Sequence, residues 1–265
     1  MGKKTTVSAF AKRRAAGEKL VVVTAYDAPG AAAAVRAGID ILLVGDSLAM
    51  TVLGYDNTLP VTMEDMIHHT RAVRRGAPEA FVIFDMPFMS YQTGMEKALE
   101  NAGRAMKESG ADAVKFEGGT EYAEFVRRLV SAGIPVMPHI GLLPQRIQAV
   151  GGYKVTGRGD DAAQLMRDAK AFEEAGAFSV VLECVTREVA ARITDSLSIP
   201  TIGIGSGPEC SGQVQVFHDV VGMFDGFTPK HSRRYAEAGK IITSALASYA
   251  DDVKNGRFPG PENSF

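Results

Sequence analysis

Short apolar runs rich in valine and isoleucine recur along the chain, and most are followed by a stretch with the apolar spacing of a helix. Both faces of these runs are apolar, which is typical of parallel strands buried between an interior and a coat of helices. The predicted strands are Leu20–Thr24, Ile41–Val44, Phe81–Phe84, Ala113–Phe116, Pro135–Pro138, Ser179–Leu182, Thr201–Ile204 and Val220–Phe224. Eight such units favour a closed barrel, and a doubly wound open sheet is the main alternative because it uses the same alternation.

The segments between these runs predict the helices of an α/β fold. They are Thr62–Arg75, Met95–Ser109, Glu121–Ala132, Asp160–Ala175 and Thr186–Ser196, with one or two closing helices in Ala236–Val253. No linker or composition shift divides the chain, so we predict one (β/α)8 TIM-barrel domain over residues 1–265. The residues before Leu20 predict an additional N-terminal helix that closes the barrel floor.

Composition restricts the partners and the compartment. The formal net charge is −2 with charges of both signs interspersed, which argues against nucleic acid or a membrane surface as partner. No apolar run reaches the roughly 18 residues that a membrane helix needs, and Met1–Arg14 lacks the apolar core of a secretory signal. Two cysteines, Cys184 and Cys210, give no disulfide framework, so we expect a cytoplasmic protein.

Charged residues gather where the predicted strands end. They are Asp46, Asp85, Lys115, Glu117, His139 and Glu183. In a β/α barrel these ends and the loops after them form the active site. Carboxylates crowded at one rim need a positive partner, and oxygen ligands without cysteine suit Mg2+ better than zinc.

Each of these residues also has a purely structural interpretation. Asp46 could be the N-cap of the next helix, Asp85 could belong to a turn, and Glu183 could be a loop charge. Lys115 and Glu117 share a strand face and could simply pair with each other. Their occurrence on five successive strands is what favours a common site.

Other catalytic patterns lack support. The glycines of Gly203–Gly207 do not have the spacing of a dinucleotide-binding loop. No strand–elbow–helix unit carries a nucleophilic serine, and neither cysteine has a partnered base nearby in sequence.

Several long motifs resemble those of the ketopantoate hydroxymethyltransferase family. They are Thr24–Asp27, Val44–Leu48, Leu53–Thr62, Asp85–Phe88, Val114–Gly119, His139–Leu142, Gly151–Val155, Gly203–Gly205 and Pro229–Lys230, and they cover most of the chain in family order. The resemblance implies transfer of a one-carbon unit from 5,10-methylenetetrahydrofolate, as co-substrate, to 3-methyl-2-oxobutanoate, with Mg2+ as cofactor, in pantothenate biosynthesis. It also implies a homo-oligomer, namely a decamer.

The same resemblance assigns roles to individual residues. It implies Mg2+ ligation by Asp46, Asp85 and Glu117, substrate binding by Asp46, Ser47, Asp85, Lys115 and His139, and catalysis by Glu183 as the base. It places Gly205 and its neighbours beside the folate. Ser211 departs from the pattern, because the family usually has an aspartate there, in the segment after the seventh strand.

Two alternative functions remain open at this point. One is a Mg2+-dependent lyase or mutase of the isocitrate lyase type that acts on a 2-oxo acid or a phosphonate. The other is a protein without catalytic activity that binds a metal ion or an oxo acid. Independence from folate would favour the lyase or mutase, and oxo-acid binding without proton exchange at C3 would favour the binding protein.

Overall fold

A computed structural model describes residues 5–152, 154–224 and 229–265. The chain divides into two compact units, one within residues 1–216 and one within 217–265. The larger unit contains every strand, and the smaller one is helical where it is described. The expectation of one domain over residues 1–265 stays a prediction.

Eight parallel strands close into a barrel in sequence order, and the last strand pairs with the first. They are β1 (Leu20–Thr24), β2 (Ile41–Val44), β3 (Phe81–Asp85), β4 (Ala113–Glu117), β5 (Val136–Gly141), β6 (Val180–Glu183), β7 (Thr201–Ile204) and β8 (Gly212–Gln215). The closed order confirms the predicted β/α barrel and excludes the open doubly wound sheet.

The predicted eighth strand, Val220–Phe224, is wrong. Its first residues belong to a short helix, Phe217–Val221, and the strand is Gly212–Gln215 instead. This segment pairs with β1 on one side and β7 on the other, and it alternates buried with half-buried residues. The segment is not a run that is apolar on both faces, because its two glutamines alternate with smaller residues.

Eleven α-helices lie within the described residues. They are α1 (Val7–Ala15), α2 (Ala28–Arg36), α3 (Leu48–Thr51), α4 (Met63–Gly76), α5 (Met95–Ser109), α6 (Ala123–Ser131), α7 (Ile147–Val150), α8 (Asp161–Glu174), α9 (Arg187–Ser196), α10 (Phe217–Val221) and α11 (Ala238–Lys254). The five helices predicted between strands occur within one or two residues of their expected bounds. Helix α2 was not predicted, and it begins after Asp27, whose side chain accepts a hydrogen bond from the Gly30 N–H at 2.6 Å.

Helix α1 closes the N-terminal end of the barrel, as predicted. Phe10 is fully buried, and its ring meets Phe81 and Phe178 edge to face at centroid distances of 5.0 Å. Phe81 begins β3 and Phe178 precedes β6, so these rings mark the end where the strands start. Phe10 belongs to the same apolar core as the inward-facing residues of the barrel. The opposite end, where the strands finish, is left for the site.

The smaller unit contains one long helix, α11, in which no residue is buried. Its large apolar side chains are exposed, including Ile241, Leu246 and Tyr249. Among the helices in the described ranges, none is both long and apolar enough to cross a membrane.

Candidate active site

Strand register brings the predicted charged residues together at the carboxyl end of the barrel. Asp85, the last residue of β3, is the register partner of Lys115 in β4. Glu117, the last residue of β4, is the partner of His139 in β5. Gly141 of β5 lies opposite Glu183, which ends β6. Neighbouring parallel strands thus place these side chains on one continuous rim, as the sequence predicted.

Lys115 and Asp85 form a buried ion pair at the centre of this rim. The Lys115 Nζ lies 2.7 Å from both carboxylate oxygens of Asp85. The Asp46 backbone N–H, which follows β2, donates to Asp85 Oδ2 at 3.2 Å. Lys115 therefore pairs with Asp85 on the neighbouring strand, and the alternative that it only neutralises Glu117 on its own strand is wrong.

The imidazole of His139 lies between two glutamates. Its Nδ1 is 3.7 Å from Glu117 Oε1, and its Nε2 is 3.4 Å from Glu183 Oε2. Burial, together with the positive charge of Lys115, holds the pKa of His139 well below its usual value. The ring is therefore neutral, so it can donate a proton from only one of its nitrogens and accept at the other.

The three carboxylates around this ion pair and imidazole are poorly stabilised as anions. Burial, followed by the charge of Asp85, raises the pKa of Asp46. Burial also raises the pKa of Glu117 well above its ordinary value, and it raises the pKa of Glu183 to about 8. Lys115 opposes these shifts, and its own pKa is raised because Asp85, Glu117 and Asp46 outweigh its burial. One buried cation thus faces four carboxyl groups.

Ser47, the predicted substrate-binding hydroxyl, lies beside the same rim. Its Oγ is 2.9 Å from the hydroxyl of buried Tyr26. A side chain at Gly45 would come within 2.9 Å of Ser47 Oγ and 3.8 Å of Asp85 Oδ2. A side chain at Gly45 would therefore force the Ser47 hydroxyl to move.

Two site residues were missed from the sequence, Gln145 and Tyr91. Both side chains are buried, and both contact the predicted carboxylate residues. Neither follows a strand directly, since Tyr91 comes six residues after Asp85 and Gln145 four residues after Gly141. Uncharged residues within loops gave no signal in a search for charge at strand ends, although Gln145 follows closely on the motif that contains His139.

The segment between β7 and β8 runs the length of the barrel without a helix. At its start, the buried Ser206 hydroxyl donates to Leu182 O at 2.7 Å, which ties the loop to the end of β6. At its other end, Ser211 bonds to Thr201 and Leu20, the first residues of β7 and β1. The departure from the family pattern at Ser211 therefore lies at the barrel floor, away from the site.

The carboxylates of the rim are candidate ligands for a divalent cation. Across the described ranges, no three histidine, cysteine, aspartate or glutamate side chains converge on a ready-made metal position. Mg2+, however, usually keeps several waters and takes only one or two carboxylates from the protein. Glu117 Oε1 is buried without a hydrogen-bond partner among the described residues, and burial, with the charge of neighbouring carboxylates, raises the pKa values of Asp46 and Glu117. These residues fit a hard cation, with Asp46 and Glu117 needing it most.

Comparisons with known proteins agree with this geometry. A family profile described as ketopantoate hydroxymethyltransferase matches residues 4–261. The 3-methyl-2-oxobutanoate hydroxymethyltransferase of Syntrophus aciditrophicus is 55% identical, covering 100% of this chain and 97% of that protein. The enzyme of the same name from Thermotoga neapolitana is 56% identical, covering 96% of this chain and 94% of that protein.

Solved structures share the fold at much lower identity. A 2,3-dimethylmalate lyase gives a TM-score of 0.61 at 18% identity, covering 97% of this chain and 87% of that one. A phosphoenolpyruvate phosphomutase from Streptomyces platensis gives 0.63 at 15% identity, covering 95% and 88%. At these identities the likeness shows the fold alone. The family profile and the relatives are far more specific, and they show that the chain belongs to the ketopantoate hydroxymethyltransferase family of enzymes.

Proposed function

We propose that the chain transfers a one-carbon unit from 5,10-methylenetetrahydrofolate to 3-methyl-2-oxobutanoate. One water is consumed, and the products are 2-dehydropantoate and tetrahydrofolate, a step of pantothenate biosynthesis. The observation that carries the proposal is the Glu183 carboxyl, which lies 3.4 Å from a neutral imidazole and has its pKa raised to about 8 by burial. A carboxylate of that basicity is suited to removing a proton from carbon beside a carbonyl group.

The rim divides into a binding part and a proton-transfer part. Lys115 supplies the positive charge for the carboxylate of the oxo acid, and the Ser47 hydroxyl, which contacts Tyr26 at the same rim, supplies a hydrogen-bond donor. Asp46, Asp85 and Glu117 would hold Mg2+, with Asp85 shared between the cation and Lys115. Bound Mg2+ would supply Lewis acidity toward the 2-oxo group, which makes the C3–H more acidic.

Proton transfer falls to Glu183, which His139 contacts. Glu183 ends β6, whereas the three metal carboxylates belong to the ends of β2, β3 and β4, so it can face C3 without joining the metal ligands. It takes the C3 proton, and the resulting carbanion equivalent forms the new C–C bond to the one-carbon unit. Both bonds from that carbon to the folate nitrogens break, water supplies the hydroxyl of the product, and tetrahydrofolate leaves with the protons that its nitrogens need. His139 stays neutral, with its Nε2 facing Glu183 and its Nδ1 facing Glu117, so it can orient the Glu183 carboxyl toward C3.

The assembly and location are part of the proposal. The exposed apolar side chains of α11 support a homo-oligomer, a decamer by family resemblance, since so large an exposed apolar face is unusual on a monomer. Light scattering coupled to gel filtration measures the oligomeric state directly, and a monomer would contradict the proposed homo-oligomer.

A net charge of −2 supports small molecules as ligands, with neither nucleic acid nor membrane as partner, and we propose a cytoplasmic location.

Proton NMR of 3-methyl-2-oxobutanoate in D2O tests the chemistry. We expect the C3 proton signal to disappear when enzyme and Mg2+ are present, and dehydropantoate to form only after methylenetetrahydrofolate is added. Glu183→Gln should slow the exchange by at least about 100-fold, the typical contribution of a general base. Glu174→Gln, an exposed glutamate on α8, is the matched control and should exchange normally. If the C3 proton signal persists in the presence of folded, Mg2+-loaded enzyme, the result would instead favour a lyase or a binding protein.

A further inference from the structure

Gln145 contacts two of the carboxylates assigned to the cation, which come from different strands. Its side-chain Nε2 donates to Asp46 Oδ2 at 3.0 Å, after β2. Its backbone N–H donates to Glu117 Oε2 at 2.9 Å, at the end of β4. One residue of the loop after β5 thus fixes one oxygen of each carboxylate.

The orientation of the Gln145 amide is determined by its other contacts. The Nε2 group also donates to Met86 O at 2.9 Å. The Oε1 atom accepts from the Tyr91 hydroxyl at 2.8 Å and from Gln92 Nε2 at 3.3 Å. Rotating the amide by half a turn would point its oxygen at two acceptors, so only the observed orientation satisfies all four contacts.

Tyr91 holds this amide from a rigid position. Its hydroxyl accepts the Glu117 backbone N–H at 3.2 Å and lies 3.0 Å from Glu117 O. Its ring is buried and packs against Phe116 and Tyr122 at centroid distances of 5.4 and 5.5 Å. The phenol therefore links the end of β4 to the amide of Gln145.

These contacts give the two carboxylate oxygens of Glu117 different surroundings. Oε2 accepts the bond from Gln145, whereas Oε1 is buried and makes no hydrogen bond to the described residues. A buried carboxylate oxygen left in this way needs a cation or a water. Gln145 thereby determines which oxygen of Glu117 is presented.

We propose that Gln145, oriented by Tyr91, is a positioning residue that presents Asp46 and Glu117 to the divalent cation and so sets the affinity for it. The assignment rests on the proposed function, which supplies the cation. Residues that orient metal ligands typically change affinity or activity by about 10- to 100-fold when they are replaced. A glutamine that only satisfies buried polar groups would change stability and leave the affinity alone.

Titration of the whole enzyme with Mn2+, followed by the EPR signal of the free ion, separates these two roles. Gln145→Leu removes the side-chain donor and keeps the backbone donor, and we expect Mn2+ to bind about 10- to 100-fold more weakly. Tyr91→Phe removes only the hydroxyl that orients the amide, so we expect a smaller loss in the same direction. Gln213→Leu is the control, because its Nε2 donates to Gly207 O at 2.9 Å and to none of the carboxylates; its Mn2+ affinity should be unchanged.

Thermal unfolding and C3–H exchange of each variant complete the test. Weaker Mn2+ binding in the first two variants and not in the control, measured at a temperature at which thermal unfolding shows each variant folded, supports the assignment. If the unaltered enzyme binds Mn2+ and exchanges C3–H but both variants keep its Mn2+ affinity, the assignment of Gln145 is wrong. The proposed function is then unaffected. Absence of Mn2+ binding and of exchange in the unaltered enzyme overturns the proposed function and this assignment with it.

Discussion

Lys115 holds both oxygens of Asp85 at 2.7 Å, and the two side chains are only 6% and 2% exposed. Four carboxyl groups influence or surround this one ammonium group, namely Asp46, Asp85, Glu117 and Glu183. In the absence of a bound cation, Lys115 is therefore the main source of positive charge at the rim. The pair joins the end of β3 to the middle of β4 and partly neutralises the carboxylates of the site.

Replacing Lys115 with Met should destabilise the metal-free protein. The substitution leaves Asp85 buried without its partner, and removing one member of a buried ion pair typically costs about 3–5 kcal/mol. We expect a corresponding fall in the urea midpoint and loss of oxo-acid binding. Lys97→Met, which breaks an exposed pair with Glu100, should leave the midpoint nearly unchanged. A Lys115→Met protein as stable as the parent would show that the pair contributes little.

The C3–H exchange rate should rise with pH through about 8. The pKa of Glu183 is raised to about 8 by burial, and only the ionised carboxylate can accept a proton. Below that pH the fraction of active base falls about tenfold per unit, and above it the rate should level off. Exchange rates measured from pH 6 to 9.5 give the profile. A rate that is flat across this range would exclude Glu183 as the titrating base.

Glu183 should also make stability depend on pH in a defined direction. Its pKa is about 8 in the folded protein and 4.5 ordinarily, so between these values the folded state holds a proton that the unfolded state has lost. The unfolded state binds fewer protons there, and stability therefore falls as pH rises across this window. Comparing the urea midpoints of parent and Glu183→Gln at pH 5 and 8.5 checks this. The variant should gain stability relative to the parent at the higher pH, and an equal difference at both pH values would contradict the expectation.

Gly141→Ala should disturb the site rather than only the backbone. Gly141 has a φ of 101°, and an added Cβ would lie 2.3 Å from the carbonyl oxygen of Glu183. Gly133→Ala is matched in backbone strain, with a φ of 83° and nothing within 4 Å of the added atom. We expect Gly133→Ala to cost about 1–2 kcal/mol of stability with normal exchange. Gly141→Ala should cost more and reduce exchange at least about tenfold, and equal behaviour of the two would argue against a role for this close approach.

Phe10→Ala should weaken the barrel without altering its chemistry. The ring is fully buried against Phe81 and Phe178 at the floor, and replacing a buried phenylalanine with alanine typically costs about 3–5 kcal/mol. Unfolding in urea measures the loss, and exchange per folded molecule should match the parent at low temperature. Val7→Ala, which removes a partly buried neighbour, should cost less. A large loss of exchange in folded Phe10→Ala would show that the floor is coupled to the site.

Most of the barrel could be predicted from the sequence because seven strands are built on short, predominantly apolar runs. Such runs are buried on both faces, and their pattern does not depend on distant parts of the chain. The eighth strand failed this criterion, since Gln213 and Gln215 alternate with buried residues. Its pairing with β1 and β7 is fixed by closure of the barrel, which no local pattern expresses.

The charged residues of the candidate site could likewise be predicted from the sequence, because the ends of parallel strands must meet at one edge. Asp46, Asp85, Lys115, Glu117, His139 and Glu183 all lie there. By itself, then, the sequence determined seven of the eight strands and which charged residues share their rim, since periodicity and strand order are local properties. Only the tertiary structure decided that Lys115 pairs with Asp85, that His139 is neutral between two glutamates, and that Gln145 and Tyr91 join the site. Those outcomes depend on register, burial and loop approach, which arise only when distant segments pack together.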